Sequence, residues 1–282
     1  MLIAKTQNKV YATNKYQMHA NIITFTTFTM NSLLNLLKNY QQQNRSSWAV
    51  LIDPDKTDEK KCLALIEQSH GFPPDFFFVG SSLLLSYQNL HLIVNLLKTH
   101  TKIPVILFPG SYQHLSDKAD AVLFLSLISG RNADYLIGNQ VLAAPLIKQI
   151  LKQSNLEVIP TGYMLIESGR QTSVGYISNT MPIPHDKNDI AMTTALAGQY
   201  LGLQLIYLEA GSGAEKPVSS AMIRMVKQNI DIPLIVGGGI RTAAAFQNAC
   251  DAGANVVVTG NILEQKPELM RDFYEIIAMK SK

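Results

Sequence analysis

The chain has 282 residues, 47% of them apolar, and a net charge of +3. That length supports one large core or two modest domains, and the scattered Lys and Arg, with no basic run, imply no polyanionic partner such as nucleic acid. No apolar run reaches the ~18–20 residues of a membrane span. The lone cysteines Cys62 and Cys250 and the six scattered histidines lack disulfide or zinc spacing, so a reducing, cytoplasmic setting is expected.

In chain order, residues 1–29 are rich in Asn, Thr and Lys and show no sustained periodicity. The apolar stretch Ile22 to Phe28 is broken by threonines, and no small-residue cleavage site follows. This reads as a disordered leader or a start codon placed too early, with one working domain over 30–282. From Trp48 onward, short apolar runs rich in β-branched and aromatic residues alternate with helical patterns. The predicted strands are WAVLID (48–53), DFFFVG (75–80), PVILFPG (104–110), AVLFLS (121–126), LEVIPTGYML (156–165), QLIYLEAG (204–211), PLIVGGG (233–239) and NVVVTGN (255–261). Continuous apolar runs suit parallel strands covered on both faces. Eight such units on about 230 residues point to a TIM (βα)8 barrel, with a doubly wound open sheet as the alternative.

Two connections depart from the regular pattern. Only SYQHLSDKAD (111–120) joins the third and fourth strands, where a parallel crossover with its helix needs at least ~10–12 residues. The third barrel helix is therefore expected to be missing or reduced to a turn. After the fifth strand, the long polar segment 166–188 reads as a lid or binding loop. On the predicted fourth helix (134–153), Leu142, Leu146 and Ile150 are spaced four apart and are expected to face the barrel.

A barrel of this kind carries its site where the strands' C-terminal ends meet. Those ends hold Asp53, Ser81-Ser82, Gly110-Ser111, Ser126, Tyr163, Glu209 with Gly211-Ser212-Gly213, Gly237-Gly238-Gly239, and Gly260-Asn261. Glycines after the last three strands expose backbone N–H groups and admit a ligand closely, in the place where such barrels bind phosphate. Asp53 opens the DPDK turn, which either caps the following helix or supplies the single carboxylate that Mg²⁺ takes beside substrate phosphates. Glu209, set among small residues, is either a buried structural acid or an acceptor for a ligand hydroxyl. No lysine falls in a predicted strand, which disfavours a Schiff-base aldolase. The fifth strand ends in TGY without an aspartate, no GxGxxG follows the first strand, and no DDxxD occurs.

Together, LIDPDK, FVGSSLL, SGRNADYLIGNQ, IPTGYMLIESG, YLEAGSG, VGGGIRT and VTGN resemble the geranylgeranylglyceryl phosphate synthase family from Ser32 to the C-terminus. The resemblance implies a modified TIM barrel with its third helix replaced. It also implies Mg²⁺-dependent transfer of a prenyl group from a prenyl diphosphate to the 3-hydroxyl of sn-glycerol 1-phosphate, in a homo-oligomer, dimer or hexamer. Asp53 and Ser82 would then ligate Mg²⁺. Tyr207, Leu208, Glu209, Ala210, Gly211, Ser212 and Gly213 would bind glycerol phosphate, with Tyr207 and Glu209 catalytic and Glu209 taking the hydroxyl proton. Gly237, Gly238, Gly260 and Asn261 would hold the phosphate, Tyr163 would sit near the departing diphosphate or prenyl head, and Asn132 and Tyr135 would line the tail groove. One departure stands out: some bacterial relatives have a lysine where this chain has Leu51. YLEAGSG is more similar to the geranylgeranyl branch than to the heptaprenyl branch, and Tyr112, Phe108 and Phe124 are the candidates to close the groove. A lipid product makes a transient membrane-surface contact a further expectation. The rival readings are a phosphosugar isomerase or lyase on the same barrel and a non-catalytic phosphate binder.

Overall fold

The computed structural model describes residues 32–280 apart from residue 84; the predicted leader lies outside the described residues. Eight parallel strands form a closed barrel in sequence order, and the last pairs back to the first with Ser47 opposite Val256. They are β1 (Ser47–Ile52), β2 (Phe76–Val79), β3 (Val105–Leu107), β4 (Ala121–Leu127), β5 (Glu157–Leu165), β6 (Leu205–Glu209), β7 (Leu234–Gly237) and β8 (Val256–Thr259). The fold is a TIM barrel, and the open-sheet alternative falls. Side chains alternate across each strand. One set, including Phe76, Phe78, Tyr163, Tyr207 and Ile235, fills the barrel interior, while the other packs against the surrounding helices.

A helix ahead of the barrel, α1 (Leu33–Gln42), closes its floor: Leu37 is buried with the interior set, and Leu33, Leu34 and Tyr40 pack on it. Glu157, at the start of β5, receives the backbone N–H groups of Leu33 and Leu34 at 2.6 and 3.2 Å and the Ser32 hydroxyl at 2.5 Å. A carboxylate there meets the positive end of the helix and satisfies donors that have no partner within it. The next helices are α2 (Glu59–Gly71) and α3 (Tyr87–His100), followed after β4 by a π-helical turn (Asp134–Gly138) that runs into α4 (Asn139–Ile150). DPDK does not cap α2. Asp58 does, accepting from Lys61 N, because the helix begins six residues past Asp53.

No helix follows β3: residues 108–120 run as turns back to β4, as their length implied. This connection is held from within. The buried His114 accepts the Gly110 N–H on Nδ1 at 3.2 Å, and Asp120 accepts the Val105 N–H at 2.8 Å. Segment 166–188 is more ordered than a bare lid. It bridges back on itself at Ile166–Ile183 and contains α5 (Ser173–Ile177), capped by Thr172. One expectation is reversed on α4. Leu142 and Leu146 are exposed and Ile150 is half-buried, while Gln140, Ala143 and Ile147 face inward. The four-residue spacing marked a stripe, but not the side of the helix on which it lies. The remaining helices are α6 (Asn188–Tyr200), α7 (Ser220–Asn229), α8 (Ala243–Asp251), α9 (Ile262–Gln265) and α10 (Leu269–Lys280). Among the described residues no helix is long and apolar enough to cross a membrane.

Candidate functional site

The strands' C-terminal ends open on a polar cavity of about 660 Å³. It is lined by Asp53, Ser82, Tyr163, Tyr207, Glu209, Gly211, Ser212, Gly213, Gly238, Gly260 and Asn261, together with Leu51. Leu208 and Ala210 belong to the same motif yet point the other way, into the layer beneath the helices. Strand alternation dictates this: Tyr207 and Glu209 share the inward face, so Leu208 and Ala210 cannot. Leu208 and Ala210 therefore put no side chain into the cavity.

Glu209 is fully buried at the bottom of the cavity, and its Oε1 accepts the Gly211 N–H at 2.6 Å. Burial raises its pKa to about 7, against the opposing pull of the Gly211 N–H and the nearby Tyr207 hydroxyl. That hydroxyl approaches the carboxylate but falls short of hydrogen-bond geometry, which leaves the buried Tyr207 oxygen without a partner. Burial, and then the Glu209 charge, hold the hydroxyls of Tyr163 and Tyr207 protonated well above the usual tyrosine range. Tyr207 stacks on Phe108 at 5.1 Å and meets Tyr163 edge-on at 5.6 Å, an aromatic layer directly beneath the carboxylate.

Gly237 pairs with Glu209 in the β6–β7 ladder, and its role is to be absent. A Cβ there would fall 2.5 Å from the Tyr207 hydroxyl and 3.1 Å from Glu209 Oε2. At Gly238 the backbone is left-handed (φ +83°), and a Cβ would stand 2.5 Å from Glu209 Oε1 and 2.6 Å from Gly211 N. Both glycines therefore make room for the acid; Gly238 also lines the cavity, whereas Gly237, expected to hold phosphate, is buried within β7 and does not.

Asp53 is mostly buried, accepts the Asp55 N–H at 3.1 Å and is paired with Lys56 Nζ at 2.6 Å. Ser82 lines the same cavity. Among the described residues no group of three or more His, Cys, Asp or Glu side chains could cage a metal. One carboxylate and one hydroxyl suit Mg²⁺, which takes few protein ligands and completes its shell with water and substrate phosphates. The donor set thus fits a metal that arrives with a diphosphate.

Beside the polar cavity lies an apolar slot of about 90 Å³, between the turns that follow β3 and the residues of β4 and α4. Ser81, Ser82, Phe108, Tyr163 and Val174 line both spaces, so the two meet at the aromatic layer. Tyr112, Phe124, Tyr135 and Ile147 continue the slot. Asn132 stands outside it: its side-chain amide donates to the Ser178 carbonyl at 2.7 Å and its Oδ1 accepts the Asp134 N–H, tying the β4 loop to segment 166–188. Sequence reasoning passed over Lys56 and Arg241, two cations of the polar cavity that stand inside DPDK and VGGGIRT. It also missed Ser173 and Val174, for which loop length was the only signal.

The PcrB family model matches residues 41–279. A geranylgeranylglyceryl phosphate synthase of Spirosoma linguale is 49% identical over 244 residues, covering 86% of this chain and 96% of that protein. One from Chitinophaga pinensis is 44% identical, covering 88% and 96%. Among solved structures, (S)-3-O-geranylgeranylglyceryl phosphate synthase from Thermoplasma acidophilum, in complex with substrate sn-glycerol-1-phosphate, superposes with a TM-score of 0.81. It is 35% identical, and the match covers 89% of this chain and 99% of that one. With residues 41–279 matched and a relative 49% identical over 86% of its length, the chain belongs to the PcrB family.

Proposed function

We propose that this transferase joins geranylgeranyl diphosphate to the 3-hydroxyl of sn-glycerol 1-phosphate, with Mg²⁺, to give geranylgeranylglyceryl phosphate and diphosphate. The observation that carries the reading is the junction: a polar cavity with one buried acid meets an apolar slot at Phe108 and Tyr163. The names of the relatives from Spirosoma and Chitinophaga and the glycerol phosphate held by the Thermoplasma protein support it.

In this reading the C–O bond between prenyl carbon and diphosphate breaks, an ether C–O bond forms, and the hydroxyl proton passes to Glu209. A carboxylate whose pKa is near 7 is matched to that task at neutral pH. Backbone N–H groups at Ser212-Gly213, Gly238–Gly239 and Gly260-Asn261 clamp the small anionic acceptor. Asp53 and Ser82 would hold Mg²⁺, which supplies charge neutralisation for the leaving group. The Tyr163 and Tyr207 rings present π faces to the positive charge that develops on the allylic carbon. The slot takes the tail, and the exposed apolar side chains of α4 cover one another in a homo-oligomer. The protein works in the cytoplasm and touches the membrane surface when its product leaves. A phosphosugar isomerase or lyase would need a second catalytic acid or a strand lysine, and Tyr163 stands where the acid would be.

The direct test mixes purified protein, Mg²⁺, sn-glycerol 1-phosphate and radiolabelled geranylgeranyl diphosphate. An extractable lipid phosphate is expected; no product with any prenyl diphosphate refutes the proposal.

A further inference from the structure

Asp53 is the acid on the β1 end that faces the polar cavity, and both of its oxygens are engaged: Oδ1 by the Asp55 N–H at 3.1 Å and Oδ2 by Lys56 Nζ at 2.6 Å. Asp55 beside it is committed elsewhere, accepting the N–H groups of Leu85 and Ser86. The two ends of the Asp53–Lys56 pair differ. The carboxylate side chain is 15% exposed and the lysine 52%. The turn is anchored by the N–H groups of Lys56 and Thr57, both donating to the Asp53 carbonyl at 3.1 Å, so only the flexible lysine stem has to move. Exposed lysine pairs of this kind are weak and exchange readily.

Building on the prenyltransferase reading, we propose that Lys56 is an exchangeable counter-ion: it pairs with Asp53 until a divalent cation arrives with the diphosphate, then turns its ammonium onto that diphosphate. Two cations cannot share one carboxylate oxygen without strong like-charge repulsion. A lone Asp53 would otherwise be a charge held mostly out of water, and the lysine keeps it compensated while the cavity is empty. After the exchange, Asp53 and the metal together leave one net positive charge against the several negative charges of a diphosphate. Lys56, lining the same cavity as Ser82, adds a second positive charge. The same lysine thereby keeps monovalent and divalent ions off Asp53 in the absence of substrate and favours the loaded metal in its presence.

The experiment titrates wild type, Lys56→Met and Lys56→Arg with Mn²⁺ alone, followed by its EPR signal, and with Mg²⁺ plus inorganic pyrophosphate, followed calorimetrically. Lys60→Met serves as control for the general loss of one positive charge. The expected result for Lys56→Met is Mn²⁺ bound roughly fivefold tighter and Mg²⁺-pyrophosphate bound roughly tenfold weaker, with Lys56→Arg and Lys60→Met close to wild type. Mn²⁺ bound no tighter by Lys56→Met than by Lys60→Met, or unchanged pyrophosphate affinity, overturns the proposal. Product formation by wild type alongside either of those results removes the lysine role alone, whereas no product from wild type removes the prenyltransferase reading itself.

Discussion

The two sides of the barrel mouth are built by opposite means. Around β6, β7 and β8 the chain is packed to contact: Gly237 and Gly238 exist because Tyr207 and Glu209 occupy the space a side chain would need. Around β3 and β4 space is made by leaving out a helix, and the walls are ordinary apolar residues such as Phe124, Tyr135 and Ile147. In the proposed reaction the crowded side selects a small anion and does proton chemistry, and the β3–β4 side accepts length. A change on the crowded side should therefore act on all prenyl substrates alike, and a change on the β3–β4 side should act on chain length.

The sharpest break is Glu209→Gln. It should lower kcat by ~10²–10⁴, the usual worth of a positioned general base, for every prenyl chain. The same substitution should stabilise the fold. A buried acid whose pKa rises from 4.5 to about 7 binds its proton more tightly when folded, so stability falls as pH rises from about 4.5 through 7. Removing the charge restores up to about 3 kcal/mol above pH 7, read as a higher Tm. Wild-type kcat/KM should climb through pH 7 and level above it; a flat profile would take the proton-accepting role from Glu209.

Next in size is Gly238→Ala. Strained backbone and a contact at 2.5 Å with Glu209 should cost ~1–3 kcal/mol and raise KM for glycerol phosphate while leaving the ranking of prenyl chains intact. A shift in that ranking would erase the division between the two sides.

On the β3–β4 side, Phe124→Ala or Tyr112→Ala should move a competition among C15, C20 and C35 diphosphates from C20 toward C35 by roughly tenfold, the low end of what one methylene is worth in a pocket. An equal fall for all three would mark a core residue instead. The smallest effect is expected at α4 and the π-helical turn before it, where Ile137, Val141 and Leu142 are exposed. Val141→Glu should shift light scattering toward the 31.1 kDa monomer with little change in turnover per chain. A wild-type protein that is already monomeric at micromolar concentration would refute the oligomer.

The two sides also differ in how far they could be read beforehand. Strand ends, glycines and Glu209 are local features, so the crowded side was visible as motifs. That Gly237 leaves room for a residue 28 positions earlier was not, since that pairing is a property of the closed ladder. The missing helix was legible from a ten-residue connection, yet the residues lining the gap carried no signature, and Asn132 was misplaced into it. The floor helix α1 went unnamed, although Ser32 ahead of Leu33, Leu36, Leu37 and Tyr40 has the spacing of a capped amphipathic helix. Its anchor, Glu157, is 125 residues away from Ser32. Lys56 and Arg241 were overlooked because they stand in turns, where a cation has no periodicity to mark it.

The gap after β3 also ties folding to occupancy. Elsewhere on the barrel a helix shields the outer face of each strand; here turns carrying Leu115 and Ala119 help bury Val105 and Leu107, and a small apolar slot remains beside Phe124. In the proposed reaction a prenyl tail in the slot extends the hydrophobic layer around Phe124 and Ile147. By mass action, a ligand at 100 times its Kd adds about 2.7 kcal/mol to the folded state, a sizeable part of a typical domain's stability. Under the proposed reaction, resistance to unfolding therefore rises with the supply of the prenyl substrate.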